Sequence, residues 1–144
     1  MQSQFSKIAK IRKQKRDAIE RELMKSRHKE KFLTGQIASI YENIASIVLP
    51  REGTVSLISM IGEQKAVLNR EKKQYEQELF VAQRQTRKLQ TDYRKAHVEY
   101  EKIKYLEEQE LQAMMDKMKK EEQRYLDEIS TMLFAGESVK RGNA

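Results

Sequence analysis

Along much of this chain apolar residues recur at alternating intervals of four and three, and that rhythm restricts the chain to helices that wind about one another. The first series is Phe5, Ala9, Arg12, Arg16, Ile19, Leu23, Ser26, Glu30, Leu33, Ile37, Ile40, Ile44 and Ile47, of which nine of thirteen are apolar. Its mean spacing of ~3.5 residues falls short of a straight helix's 3.6, so a left-handed supercoil follows. A second series runs Ile58, Ile61, Lys65, Leu68, Lys72, Tyr75, Leu79, Ala82, Thr86, Leu89, Tyr93, Ala96, Tyr100 and Ile103, with eleven of fourteen apolar. A third comprises Leu111, Met115, Met118, Glu122, Tyr125, Ile129 and Met132. Eight residues separate Ile103 from Leu111, which predicts a one-residue slip of phase near Glu107–Glu110.

One segment interrupts the rhythm: Leu49-Pro50-Arg51-Glu52-Gly53-Thr54. Pro50 disfavours helical geometry at Leu49 and removes a backbone donor. Gly53 permits a left-handed backbone, and Thr54 or Ser56 is placed to cap a following helix. The expected fold is therefore all-α: a two-helix antiparallel coiled-coil hairpin with a longer second helix. Helices are predicted over about residues 3–48 and 55–134, joined by a turn at 49–54, as one domain covering 1–134. The segment 135–144, beginning Ala135-Gly136-Glu137, has no periodicity and reads as a flexible tail. At 1.5 Å per residue the helices would measure roughly 70 Å and roughly 120 Å. Folding about Pro50–Gly53 brings residue 3 near residue 98 and leaves some 36 residues of the second helix projecting alone. Gly35 and Gly62 fall inside the helical pattern, where each costs ~1 kcal/mol relative to alanine, so close backbone approach is expected there.

Composition closes off other classes. With no Cys or Trp, one Pro and five Gly, the chain has neither disulfides nor the turn residues of a sandwich or barrel. No apolar run approaches the ~18 residues that span a bilayer, and Met1–Arg16 lacks the apolar core of a secretory signal, so a cytoplasmic setting is expected. His28 and His97 have no accompanying ligand pattern, and Gly62-Glu63-Gln64-Lys65 lacks the spacing of a phosphate loop. The carboxylates alternate with Lys and Arg at helix spacing, which suits a solvated helix surface. No catalytic residue, cofactor or metal is expected, and the chain is read as non-enzymatic.

Charge is unevenly distributed. Residues 1–31 hold eleven Lys/Arg and four Asp/Glu, while residues 32–144 hold eighteen of each, so the N-terminal excess equals the whole formal charge of +7. Such asymmetry points to an anionic partner.

Two end segments carry a resemblance. Phe5-Ser6-Lys7-Ile8-Ala9-Lys10-Ile11-Arg12 resembles the opening Phe, spaced aliphatics and Arg of the flagellar FliJ family, related to the YscO type of virulence systems. Lys120-Glu121-Glu122-Gln123-Arg124-Tyr125-Leu126-Asp127-Glu128-Ile129 resembles the family's closing run. The resemblance implies a cytoplasmic component of the flagellar type III export apparatus, peripheral at the inner membrane's cytoplasmic face. Family members are stalk-like coiled coils that insert into the export ATPase hexamer, promote its assembly and activity, contact the cytoplasmic domain of the export gate and bind export chaperones. No nucleic acid is implied, and the membrane only indirectly.

On that resemblance the ATPase-binding candidates are Phe5, Ile8, Arg12, Lys13 and Arg16, with Met114, Met118, Tyr125 and Ile129 across from them. The gate candidates are Gln36 and Ile40, which match the family's Gln and an aliphatic four residues on, with Tyr41, Ile61 and Gln64 nearby. Two other readings stand beside it: a structural coiled-coil oligomer, and a basic coiled coil that binds nucleic acid through phosphate charge.

Overall fold

A computed structural model describes residues 3–49 and 51–142, with side chains through 137. Two helices account for most of the described chain: α1, Ser6–Ser46, and α2, Val55–Gly142. Residues group into two compact units, Lys13–His97 and the pair of segments Met1–Arg12 with Val98–Ala144. In the first of these the two helices pack antiparallel.

The ends of the helices follow from local chemistry. Thr54 caps α2, its Oγ1 accepting from the Leu57 N–H at 3.2 Å, and the Ile58 N–H then donates to the Thr54 carbonyl at 3.2 Å. Ahead of α1, Ser3 Oγ accepts from the Phe5 N–H at 3.1 Å. At its far end the Ile47 N–H turns back to the Ile44 carbonyl at 3.2 Å. Pro50 lies outside the described residues; on either side of it, 47–49 and 51–54 are non-helical. No described glycine has a positive φ, so the connection does not use the left-handed freedom of Gly53. Past Phe134, where the periodicity ends, α2 continues to Gly142.

All thirteen positions of the first series are buried or half-buried, and Leu33 is the most enclosed at 2% exposure. Of the second series Ile58 alone is exposed. The expected phase slip does not occur. From Ala96 the covered positions continue as Tyr100, Ile103, Glu107, Glu110 and Met114, still alternating four and three, with Leu111 half-buried beside Glu110. Glu110 is accommodated here because Ser3 Oγ donates to its Oε2 at 2.6 Å, satisfying the half-buried carboxylate. The stripe of Met115, Met118 and Tyr125 therefore belongs to another face, and it is exposed.

The pairing register also departs from a tight turn at 50–53. Ser3 meets Glu110 rather than residue 98. Ser26 meets Thr86, and Tyr41 lies beside Lys72, whose Nζ is 4.8 Å from the ring centre. The cause is at the connection. Ile47 lines a groove with Met60, Val67 and Leu68, so α1 ends beside the fourth turn of α2. Eight residues, 47–54, can span up to ~26 Å, enough to climb the ~18 Å of helix from Val67 back to Val55. The first turns of α2 thus run past the end of α1, which leaves Ile58 about half exposed.

Within Lys13–His97 the seam contains one hydrogen-bonded polar layer. The Ser26 and Thr86 hydroxyls share a bond of 2.6 Å, and Thr86 Oγ1 lies 2.9 Å from the Ala82 carbonyl and 3.0 Å from Glu30 Oε2. The small side chains of Ser26 and Ala82 at this level permit close helix approach. The two interior glycines have no such role: a Cβ added at Gly35 or Gly62 would meet no heavy atom within 4 Å.

Candidate functional site

The candidate residues at the N-terminal side divide between the two units. Phe5, Ile8, Arg12, Met114, Met118, Tyr125 and Ile129 belong to Met1–Arg12 with Val98–Ala144, while Lys13 and Arg16 belong to Lys13–His97. Phe5 and Met114 are half-buried and Ile8 is exposed. Arg12 Nη1 forms an ion pair of 2.6 Å with Glu99. With both side chains largely solvated, the pair contributes at most ~1 kcal/mol. Arg16 bonds Asp17 at 3.1 Å and faces His97 Nδ1 at 3.3 Å, and His97 stacks on Tyr93 with ring centres 5.9 Å apart. Lys13 and His28 are exposed.

Met118, Tyr125 and Ile129 are not across from Phe5. Glu110 is the level that the N-terminal segment reaches, and Ile129 lies ~28 Å farther along α2. Met118 and Tyr125 are more than half exposed, as are Met115, Met132, Leu133 and Phe134. These side chains form an exposed apolar stripe along α2, and helices gain most of their stability by burying such a face.

The gate candidates do not form one patch. Ile40 is 5% exposed and packs in the seam. Gln36 and Ile61 are half-buried, whereas Tyr41 and Gln64 are exposed. With Tyr41 level with Lys72, Gln36 and Gln64 are roughly 20 Å apart along the helix axis. Gln64 instead lines a groove of about 460 Å³ with Ile47, Met60, Glu63, Val67 and Leu68.

Sequence periodicity missed the apolar surface around the connection. Val48, Leu49, Val55, Leu57 and Met60 are all exposed. A different signal marks them: residues 43–62 contain just two charges, Arg51 and Glu52, in a chain that is 35% charged. Among the described residues no cluster of His, Asp or Glu suited to a metal ion occurs, and no helix is long and apolar enough to cross a membrane.

These features define a class: a two-helix coiled coil with a longer second helix and uncovered apolar faces suited to docking other proteins. The family profile described as "Flagellar FliJ protein" matches residues 1–138, and the chain belongs to the FliJ family. It is thereby a component of the flagellar protein-export apparatus, in a family of structural export proteins. No curated protein and no solved structure matches the chain.

Proposed function

We propose that the chain serves the flagellar export ATPase as a central-stalk-like element: it enters the ATPase hexamer, promotes its assembly and hydrolysis, and contacts the export gate and chaperones. The reading rests on the family match over residues 1–138. The uncovered stripe of α2 supports it, because Met115, Met118, Tyr125 and Met132 offer an adaptable apolar surface that an enclosing sleeve would bury. Ile8, Lys13 and the Arg12–Glu99 pair add exposed contacts on the N-terminal side, with Phe5, Arg16, Met114 and Ile129 contributing their exposed portions. At the connection, Tyr41, Gln64, the edge of Ile61 and the groove around Met60 are the better gate candidates, with Gln36 flanking. Ile40 supports that face from within the seam. The protein would work at the cytoplasmic face of the membrane, held there through its partners.

The test adds the full chain to the export ATPase of the same apparatus and follows hydrolysis and ring formation together. Stimulation accompanied by hexamers is expected, and Met118→Asp or Tyr125→Ala should weaken both while circular dichroism stays helical. Absent stimulation, with a stable homodimer in the same samples, would assign the stripe to a second copy and make the chain a structural oligomer.

A further inference from the structure

Two basic stretches that are distant in sequence lie level with one another in the unit Lys13–His97. Residues 13–31 hold eight Lys/Arg and four Asp/Glu, and residues 84–97 hold five Lys/Arg and one Asp. The bonds Ser26–Thr86, Glu30–Thr86 and Arg16–His97 align them. The band thus carries eight more positive than negative charges, exceeding the +7 of the entire chain, over roughly 28 Å of helix. Charges this dense lie within the ~8–10 Å screening length of one another, so a bound polyanion relieves their repulsion.

The surface of this band is also grooved. One depression of about 350 Å³ has a floor of Val81, Ala82 and Leu89 and a rim that includes Lys25, Lys29 and Gln85. Glu22 shares the rim, 3.4 Å from Lys25 Nζ. A second depression of about 350 Å³ shares Val81 and Gln85 with the first and adds Arg84 and Lys88. Val81 is 64% exposed at the junction. Among the described residues, Lys29, Arg84 and Lys88 enter no ion pair.

We propose that this double groove docks an acidic amphipathic helix of a partner protein. Aliphatic side chains at i, i+3 and i+4 would settle on Val81, Ala82 and Leu89, and flanking carboxylates would meet Lys25, Lys29, Arg84 and Lys88. Charge selects an anionic ligand, and the aliphatic floor selects among anions. A single strand of nucleic acid uses aromatic platforms for its bases, and a lipid surface calls for protruding bulky side chains; no aromatic residue lines either depression, whose apolar lining is Val81, Ala82 and Leu89. The site shares no residue with the α2 stripe or the connection, so it stands independently of the stalk reading.

The probe is a synthetic helical peptide with Leu at i, i+3, i+4 and i+7 and Glu on its other faces, titrated against the full chain. Anisotropy should report binding, and backbone amide shifts should concentrate at residues 22–29 and 81–89. The double variant Lys29→Glu/Arg84→Glu should weaken binding about tenfold or more. Val81→Asp should weaken it comparably, because it removes the floor. Lys117→Glu/Lys120→Glu, an equal charge change outside the band, should alter it by less than about twofold. All these positions are exposed, so the variants keep the fold, checked by circular dichroism. The proposal fails if the peptide does not bind, if polyglutamate or a scrambled peptide binds equally well, or if Val81→Asp has no effect. It is likewise overturned if a DNA duplex or phosphatidylglycerol vesicles bind the band more tightly than the peptide, which would make it a phosphate-binding surface.

Discussion

The middle of the shaft and the far part of α2 carry the same alternating apolar pattern and meet opposite fates. In the shaft, Leu23, Leu33, Ile40 and Ala82 are buried between two helices. In the far part, Met115, Met118, Tyr125 and Met132 follow the same spacing and are exposed. The pattern encodes a face; whether that face is covered depends on whether another helix lies against it. Residue choice differs accordingly. Leucine and isoleucine dominate the covered series and favour one packing, whereas methionine on the bare helix adapts to a separate surface. The bare helix also carries its own support: Gln112 donates to Asp116 at 3.2 Å and Gln123 to Asp127 at 3.0 Å, each one turn ahead.

Several substitutions break or sharpen this contrast. The largest effect is expected at Leu33, the most enclosed side chain: Leu33→Ala should destabilise the chain by ~2–5 kcal/mol in denaturant unfolding. Next is the polar layer, where Thr86→Val strips Ser26 and Glu30 of a partner and should cost ~1–2 kcal/mol. Adding Ser26→Ala to it should recover part of that loss, since removing both hydroxyls leaves fewer buried groups unpaired. Gly35→Ala should raise stability by ~0.5–1 kcal/mol, because the site is helical with open space for the methyl. Smallest is Met118→Asp, expected within ~0.5 kcal/mol of the parent in stability while losing ATPase stimulation. A large loss of stability at Met118 would mean that the stripe is already covered, by a second copy of the chain.

Much of the fold was legible because it is locally encoded. Every position that the 4,3 spacing marked in α1 is covered, and Thr54 announced the start of α2 through its capping hydroxyl. The slip near Glu107–Glu110 was misread because periodicity counts apolar side chains, while the seam there admits glutamates once Ser3 bonds one of them. The candidate site was legible in part. Met118 and Tyr125 emerge as exposed residues, but Ile40 fits the family spacing and lies in the core. The apolar connection was overlooked because its signal is a scarcity of charge between residues 43 and 62, not a period.

The sequence by itself determined that the chain is two helices, which stripe faces the seam in α1 and in α2 as far as Ile103, where the two helices are interrupted, and the family to which the chain belongs. Tertiary structure alone decided the axial offset between the helices, and with it three consequences: Ser3 reaches Glu110, the first turns of α2 stand clear of α1, and the basic residues of 84–97 lie beside those of 13–31. The reason is physical. A helical repeat returns the same face every seven residues, so it fixes rotation about the axis and tolerates sliding by whole heptads. The sliding is settled by the reach of the non-helical connection and by polar contacts such as Ser26–Thr86, which are satisfied at one register.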